Sequence, residues 1–454
     1  MITGPAAPGP TGPFAGVRRS MPGGGSAVWV LVSTGINAVS TYVLLIVVAR
    51  ALGPVRLADF SVFWAVTIIS GLGFFLPLEQ ETARRVAVGG NGHDRAVWLR
   101  GLRLGSVIAL VAAAVATALW WRGEQGPIIA LAYLIAAAGY ALQFPSRGVL
   151  SGQRRLARYG SVAAIDAVVR LAGVVVLAVA GVQTTVAYDL VIAGSAVVAA
   201  VAAAVLAGLV RRSGSTPPSR SARSGDSPGS RSAGSGFARD ALRLVLAAAC
   251  MQLLLNSGTL VARGFAGPGQ IALAGQLLVL MTVARLPVFV FQSLQATYLN
   301  RLAGGVHRGD RVAVRRLLLL LAGAVGAIAA TVVIGAATVG PWAVRTLFGH
   351  EYAVTRTAAV LVAVSVATYL VASVANDASV AVGAHRRIAL AWPIGVAVAA
   401  GMVAILGDLV VRSTVPLAVG AVVAAGILLP GIARHVRTPG APPAEAGQTR
   451  RAPR

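Results

Sequence analysis

The sequence predicts an all-α polytopic membrane protein, with about twelve transmembrane helices in two parallel six-helix lobes around a central cleft. Three observations carry that prediction. The 454 residues are 57% hydrophobic and only 12% charged, with a mean hydropathy of +0.78, whereas soluble domains are about a quarter charged. The apolar residues fall in twelve runs, each near the roughly 20 residues that cross a hydrocarbon core of about 30 Å. A Ser/Gly/Arg-rich stretch, 211–238, then divides those runs six and six.

Taken in order, residues 1–26 are Gly- and Pro-rich. They read as a disordered cytoplasmic tail and lack the early charge and apolar core of a signal peptide. The first lobe, 27–210, holds spans near 27–49, 58–80, 102–121, 127–146, 160–181 and 186–210. A Gly53–Pro54 turn introduces the second span, which Gly71, Gly73 and Pro77 interrupt and which ends in charge at Glu79, Glu81, Arg84 and Arg85. Such a helix is poor in water but tolerated in a bilayer, where neighbouring helices resupply the lost hydrogen bonds and packing. Residues 211–238 have almost no apolar content and read as a disordered basic cytoplasmic linker. The second lobe, 239–436, holds spans near 241–262, 270–298, 316–340, 356–377, 388–407 and 414–433. Residues 262–268 repeat the pattern of 49–54, again ahead of an apolar run with a proline, Pro287, and a basic exit at Asn300 and Arg301. Six spans per half orient both halves alike, so the repeat is parallel about an axis along the membrane normal. The tail 437–454 reads as disordered.

The formal charge of +25 would suggest nucleic acid in a soluble chain. Here the 39 basic residues, all Arg, sit between apolar runs, so the positive-inside rule accounts for them and no nucleic-acid partner is expected. With the N-terminus placed in the cytoplasm, inside segments hold thirty Arg and outside segments hold seven. Both termini are therefore expected to be cytoplasmic, in a multi-pass protein of the plasma membrane. The anionic inner leaflet is expected to attract the basic linker and tail. Cys250 is the only cysteine, so no disulfide forms within the chain.

Two arginines lie inside spans. Arg285 sits midway along span eight without an acidic residue within four positions, and Pro287 follows it, so a kink is expected. A central Arg costs at least a few kcal/mol to insert, so it should face a cavity or a partner. It either contacts an anionic group such as a phosphate or pairs with a carboxylate on another helix. Arg170, on span five, has Asp166 four residues earlier on the same helix face. The two form a self-neutralising pair, or Asp166 holds Arg170 toward the cleft. Arg50 and Arg263 precede the two Gly-Pro turns as snorkelling anchors or as ligand contacts at the outer mouth. Glu79, Glu81, Arg84 and Arg85 allow local pairs such as Glu81–Arg85, which suit a gate or interface network, with proton coupling as the alternative. Asn37, Asn256, Gln252, Gln276 and Gln292 lie within spans as interhelical glue or ligand contacts.

Enzyme signatures are missing from the sequence. It holds no Walker A loop, dinucleotide fingerprint, HExxH or metal-spaced Cys/His set, and the five His are isolated at loops and span ends. An enzyme is not expected, nor is a cofactor or a metal.

Four segments resemble polysaccharide flippases of the multidrug/oligosaccharidyl-lipid/polysaccharide exporter superfamily. They are LGPVRLADFSVFWAVTIISGLGFFLPLEQETARRVA (52–87), RGVLSGQRRLARYG (147–160), AGQLLVLMTVARLPVFVFQSLQATYL (274–299) and GPWAVRTLFGHEY (340–352). The resemblance spans roughly residues 27–433. It implies two six-helix lobes, a central cleft and alternating access. It also implies that cavity arginines hold a substrate diphosphate, a role Arg285 and Arg170 would suit. The usual count of twelve helices fits, whereas lipid-II flippases typically add two. The expected function is therefore translocation of a polyprenyl-diphosphate-linked saccharide for cell-surface polysaccharide synthesis. Membrane lipids, and a glycan polymerase or glycosyltransferases, are the expected partners. Two alternatives stand beside it. A cation-coupled multidrug-type antiporter would use a buried carboxylate, for which Asp166 is the candidate by depth. A non-transporting scaffold would recruit glycan-synthesis enzymes through 211–238, and deleting that segment would then abolish function.

Overall fold

The computed structural model describes residues 24–89, 93–120, 125–209, 232–286 and 308–437, together with 288, 298, 301, 302 and 304–306. The expected linker and tails lie outside these residues except at their edges, where two boundaries move. The first helix begins at Gly24, inside the expected tail, and residues 232–238 of the expected linker are already helical. Phe237 gives the physical reason for the second shift, since it is buried under the guanidinium of Arg85 at 5.1 Å.

Every regular element among the described residues is helical. Helices satisfy their backbone groups within the segment, which hydrocarbon demands. The chain runs through α1 (Gly24–Ile68), a π-helical segment (Ile69–Phe75) and α2 (Leu76–Gly89). It continues through α3 (Asp94–Trp120), α4 (Gly126–Gly152), α5 (Leu156–Val179) and α6 (Thr185–Leu206). The second half has α7 (Ser232–Phe265), a 3-10 turn (Pro268–Gln270), α8 (Ile271–Ala284) and α9 (Arg311–Thr338). It ends with the short α10 (Gly340–Phe348), then α11 (Arg356–Ala381), α12 (His385–Ile405) and α13 (Leu409–Arg437).

Ten helical stretches among the described residues are long and apolar enough to cross a membrane, and Pro268–Ala284 is a shorter apolar one. The first stretch, Val28–Gly89, has 62 residues, which as one straight helix would measure about 93 Å, some three bilayer cores. It is two passes. Gly53 breaks the helix at φ +68° and ψ 169°, a left-handed conformation that only glycine adopts freely. Arg170 proves the reversal: it bonds Thr41 at 3.1 Å and lies over the Trp64 ring at 5.7 Å. A straight helix would hold those two residues about 35 Å apart, so the chain doubles back between them. Among the described residues the passes thus fit eleven of the twelve expected runs, and Pro268–Ala284 covers the first part of the remaining one. Loop boundaries are corrected: residues 84–89 and 94–101, read from sequence as loop, belong to α2 and α3, and residues 147–152 extend α4, where Arg147 finds buried partners.

Within the first half, α1 packs on α5, and α4 packs on α2, α3 and α6. Within the second half, α13 packs on α7, α11 and α12, while α9 packs on α11. The halves meet where α1 lies on α8 and where α7 lies on α1 and the π-helical segment. Close approach uses small residues, as expected where lipid supplies no hydrophobic drive between helices. A Cβ on Gly139 would stand 2.9 Å from the Ala196 backbone, and one on Gly73 would stand 3.0 Å from the Ala249 backbone.

Candidate functional site

Arg285 is the C-terminal cap of α8, one residue past Ala284, and the described residues Leu286 and Val288 just beyond it are again helical. The expected proline kink at Pro287 lies outside the described residues. The side chain is buried, at 7% exposure. Its Nη1 donates to Asn256 Oδ1 at 3.0 Å, and its Nη2 donates to the Leu255 carbonyl at 2.6 Å. Asn256 is oriented for this role, because its Nδ2 is committed to the Gln252 carbonyl at 2.9 Å. Tyr42 and Tyr369 lie within electrostatic reach of the guanidinium. Tyr42 comes from the first half and also donates to the Thr282 carbonyl at 3.3 Å. Arg285 therefore stands where the two halves meet. Among the described residues no carboxylate reaches it within ion-pair distance, and its Nε has no partner. The expected alternative, a structural pair with a carboxylate, is not what these residues form. Neutral hydrogen bonds satisfy donors without cancelling the charge.

Arg170 is placed differently. Its Nη2 donates to Asn37 Oδ1 at 3.2 Å and Thr41 Oγ1 at 3.1 Å, both on α1. Its Nη1 is 4.0 Å from Asp166 Oδ2, one turn back on α5. It lies within the first half, cradled by α1, α5 and Trp64. Asn37 and Thr41 hold Arg170 while Tyr42, the next residue on α1, stands beside Arg285. The structure thus brings Arg170, Asp166 and Asn37 together, and separately Arg285 and Asn256.

The second-span charges form a network at one end of the bundle, here called the Glu81 end. Arg84 grips Glu81 with two bonds of 2.8 Å, and Arg85 adds one of 2.5 Å. Both arginines also reach Asp240 of α7 at 3.4 Å, across the two halves. Glu79 belongs to a second cluster. It accepts from the Tyr159 hydroxyl at 2.8 Å, and Tyr159 accepts from Arg147 Nη2 at 2.8 Å. Arg147 Nε stands 3.3 Å from Glu79 Oε2 without hydrogen-bond alignment. Replacing Tyr159 by Phe is expected to cost about 1–3 kcal/mol by stranding one Glu79 oxygen, seen as a lower thermal midpoint. An unchanged midpoint would mean that Arg147 alone satisfies Glu79.

Arg50 and Arg263 sit at the opposite, Gly53 end. Arg50 donates to the carbonyls of Leu347 and Thr346, each at 2.9 Å, so it caps the exposed C-terminal carbonyls of α10. Arg263 bonds Asp59 at 2.7 Å across the halves. Tyr352 donates to the Ala49 carbonyl at 2.7 Å, and Gln276 to the Glu351 carbonyl at 3.0 Å. A cavity of about 520 Å³ opens here beside Arg50, Arg345, His350 and Glu351. Each end of the bundle therefore carries an ion pair joining the halves, and the pair at the Gly53 end is the shorter.

Sequence reading missed several participants. Asp166, expected to be the buried acid of the first half, is only partly buried, with 21% of its side chain exposed. Three other acids of that half are buried: Glu79 and Glu81, which are ion-paired, and Asp189 on α6, at 1% exposure, whose Oδ1 has no partner among the described residues. Asp377 on α11 is also buried and hydrogen-bonds Tyr298. A usable signal existed for Asp240, the only acid between Asp226 and Asp310 in an arginine-rich stretch. Arg147 carried none, because a basic residue past an apolar run reads as a loop anchor.

Comparison with known proteins places this fold. No family model matches the chain. An uncharacterized Mycobacterium bovis protein is 29% identical over 434 residues, covering 90% of this chain and 92% of its own. An uncharacterized Mycobacterium tuberculosis protein is 28% identical over 444 residues, covering 94% of each. Among solved structures, an inward-facing multidrug resistance MATE family transporter of the MOP superfamily aligns with a TM-score of 0.63 at 14% identity, over 90% of this chain and 98% of that one. A MOP superfamily transporter from Pyrococcus furiosus, described as having a binding pocket of reversed polarity that suggests a different function, aligns at 0.62 and 16% identity, over 91% and 96%.

Proposed function

We propose that this chain, a multi-pass membrane protein with the fold of MATE family transporters of the MOP superfamily, is a flippase for a polyprenyl-diphosphate-linked saccharide. The observation that carries the reading is Arg285, a buried cation at the meeting of the halves with neutral partners only among the described residues. An uncompensated charge in a low-dielectric site favours a ligand of opposite sign. A diphosphate suits a guanidinium, which offers several donors in one plane. The Tyr42 and Tyr369 rings beside it offer an amphipathic lining for the first sugar. The lipid tail would stay in the bilayer while the polar head crosses between the halves. The two cross-half ion pairs, Arg84/Arg85–Asp240 and Arg263–Asp59, suit alternate opening of the two ends. Partners of matching chemistry are the lipid-linked saccharide, membrane lipids and the glycan polymerase or glycosyltransferases that act on either side of the step.

A second reading has its own support. Asp189 is a buried carboxylate with an unpartnered oxygen, and the aligned multidrug transporters share the fold. A cation-coupled antiporter would use such an acid. One binding experiment separates the two. Purified protein is titrated with a polyprenyl-diphosphate saccharide and with a lipophilic cation, as wild type, Arg285→Ala and Asp189→Asn. The flippase reading expects diphosphate binding weakened at least tenfold by Arg285→Ala, about 1.4 kcal/mol, and unaffected by Asp189→Asn. Cation binding lost in Asp189→Asn, with no diphosphate binding, would replace it with the antiporter.

A further inference from the structure

We infer that the outward face of α9 is a binding site for one anionic phospholipid of the bilayer. Two observations carry this, and neither depends on the transported substrate. The first is shape. Val312, Arg315, Arg316, Leu319, Gly323 and Ala324 line a shallow groove of about 530 Å³ on this helix. Their spacing repeats every three or four residues, so they form a single stripe. The opposite face seats α9 on the protein through buried Val314 and Val325 and half-buried Leu317, Leu318 and Leu321. Leu319 and Leu320 are each 63% exposed on the groove side. Gly323 and Ala324 leave the groove floor low, and nothing stands within 4 Å of a Cβ added at Gly323.

The second observation is charge. Arg315 and Arg316 are exposed at the head of the stripe, and among the described residues neither makes an ion pair or a side-chain hydrogen bond. They begin one turn past Arg311, where the apolar run starts. A lipid phosphate fits between them as a doubly contacted anion. From Arg316 to Ala324 the helix rises about 12 Å, the length of much of one acyl chain lying along Leu319 and Gly323. The positive-inside distribution assigns this end to the cytoplasmic leaflet, whose anionic lipids attract nearby Arg. A zwitterionic lipid would fill the same groove without that charge complement.

The test uses the full-length protein, purified and delipidated in mild detergent. Native mass spectrometry follows the uptake of phosphatidylglycerol or phosphatidylcholine added as mixed micelles. Wild type is expected to retain one phosphatidylglycerol at least fivefold more readily than phosphatidylcholine. The double variant Arg315→Gln/Arg316→Gln is expected to lose that preference. Gly323→Leu, which fills the groove, is expected to lower retention of both lipids. A second double variant, Arg95→Gln/Arg103→Gln on α3, removes two exposed arginines elsewhere and is expected to change nothing. The inference is overturned if the α9 variants retain phosphatidylglycerol as wild type does, or if the α3 variant loses as much as the α9 pair. Should the double α9 variant fail to fold, Arg316→Gln alone gives the same reading with a smaller loss.

Discussion

Replacing Gly275 by leucine is expected to arrest transport while leaving the chain folded. A Cβ at this position would stand 1.9 Å from the Pro54 carbonyl oxygen, against an ordinary contact beyond 3.4 Å. The α8 helix and the Gly53 turn must part by about 1.5 Å to admit it, the difference of those distances. The turn has little room to yield. Gly53 occupies a left-handed conformation, Arg50 is tied to α10, and Tyr352 holds the Ala49 carbonyl. Overpacking of this kind costs about 1–3 kcal/mol, and under the proposed alternating access it acts on the state closed at the Gly53 end alone. A bias of that size shifts a two-state equilibrium by about 5- to 150-fold. If the proposed function holds, flipping of a lipid-linked saccharide in proteoliposomes should fall accordingly. Cross-linking between Asp59→Cys and Arg263→Cys, in a Cys250→Ser background, should fall with it. Gly264→Leu, with nothing within 4 Å of its added Cβ, is the control. Wild-type transport and cross-linking in Gly275→Leu would mean that this close approach does not seal the Gly53 end.

Gly395→Leu is expected to give the largest loss of stability. The α12 and α13 helices cross backbone to backbone. A Cβ on Gly395 would stand 2.6 Å from the Gly420 carbonyl oxygen, and one on Gly420 would stand 2.7 Å from that of Gly395. Neither neighbour is a flexible side chain, so the helices themselves must separate. That displacement reaches the candidate site. Trp392, on α12, donates to Asn376 at 2.9 Å and packs against Tyr369 with the rings tilted and their centroids 5.8 Å apart, and Tyr369 stands beside Arg285. The thermal midpoint is expected to drop with a cost near the upper end of the 1–3 kcal/mol overpacking range, and diphosphate binding is expected to weaken with it. On the same helix, Gly401→Leu meets nothing within 4 Å and is expected to stay within about 0.5 kcal/mol of wild type. Equal midpoints for the two variants would show that the crossing is plastic.

What the bilayer enforces was legible in the order of residues. Hydrophobicity adds residue by residue, and each pass must supply its own backbone hydrogen bonds, so the passes could be counted without knowing their neighbours. Gly53–Pro54 marked a reversal because glycine alone takes its backbone angles at low cost. Arg285, Arg170, Asn37 and Asn256 stood out because polar groups inside apolar runs are costly and must be satisfied by something. The Asp166–Arg170 and Glu81–Arg85 contacts followed from helical spacing alone.

Tertiary structure decided the rest, because a partner on another helix depends on how each helix is rotated and docked. No local pattern says that Asn37 bonds Arg170, 133 positions away, or that Arg263 pairs with Asp59, 204 positions away. Arg147 and Asp240 read as ordinary loop charges until α4 and α7 were found to extend through them. Asp189 lay near the edge of its apolar run and was passed over. Its burial comes from tertiary packing, since α6 lies against α4, α5 and α1. Above all, only the packed fold shows that Arg285 meets, among the described residues, an asparagine and a carbonyl where a carboxylate could have stood, and the proposal of an anionic substrate rests on that charge.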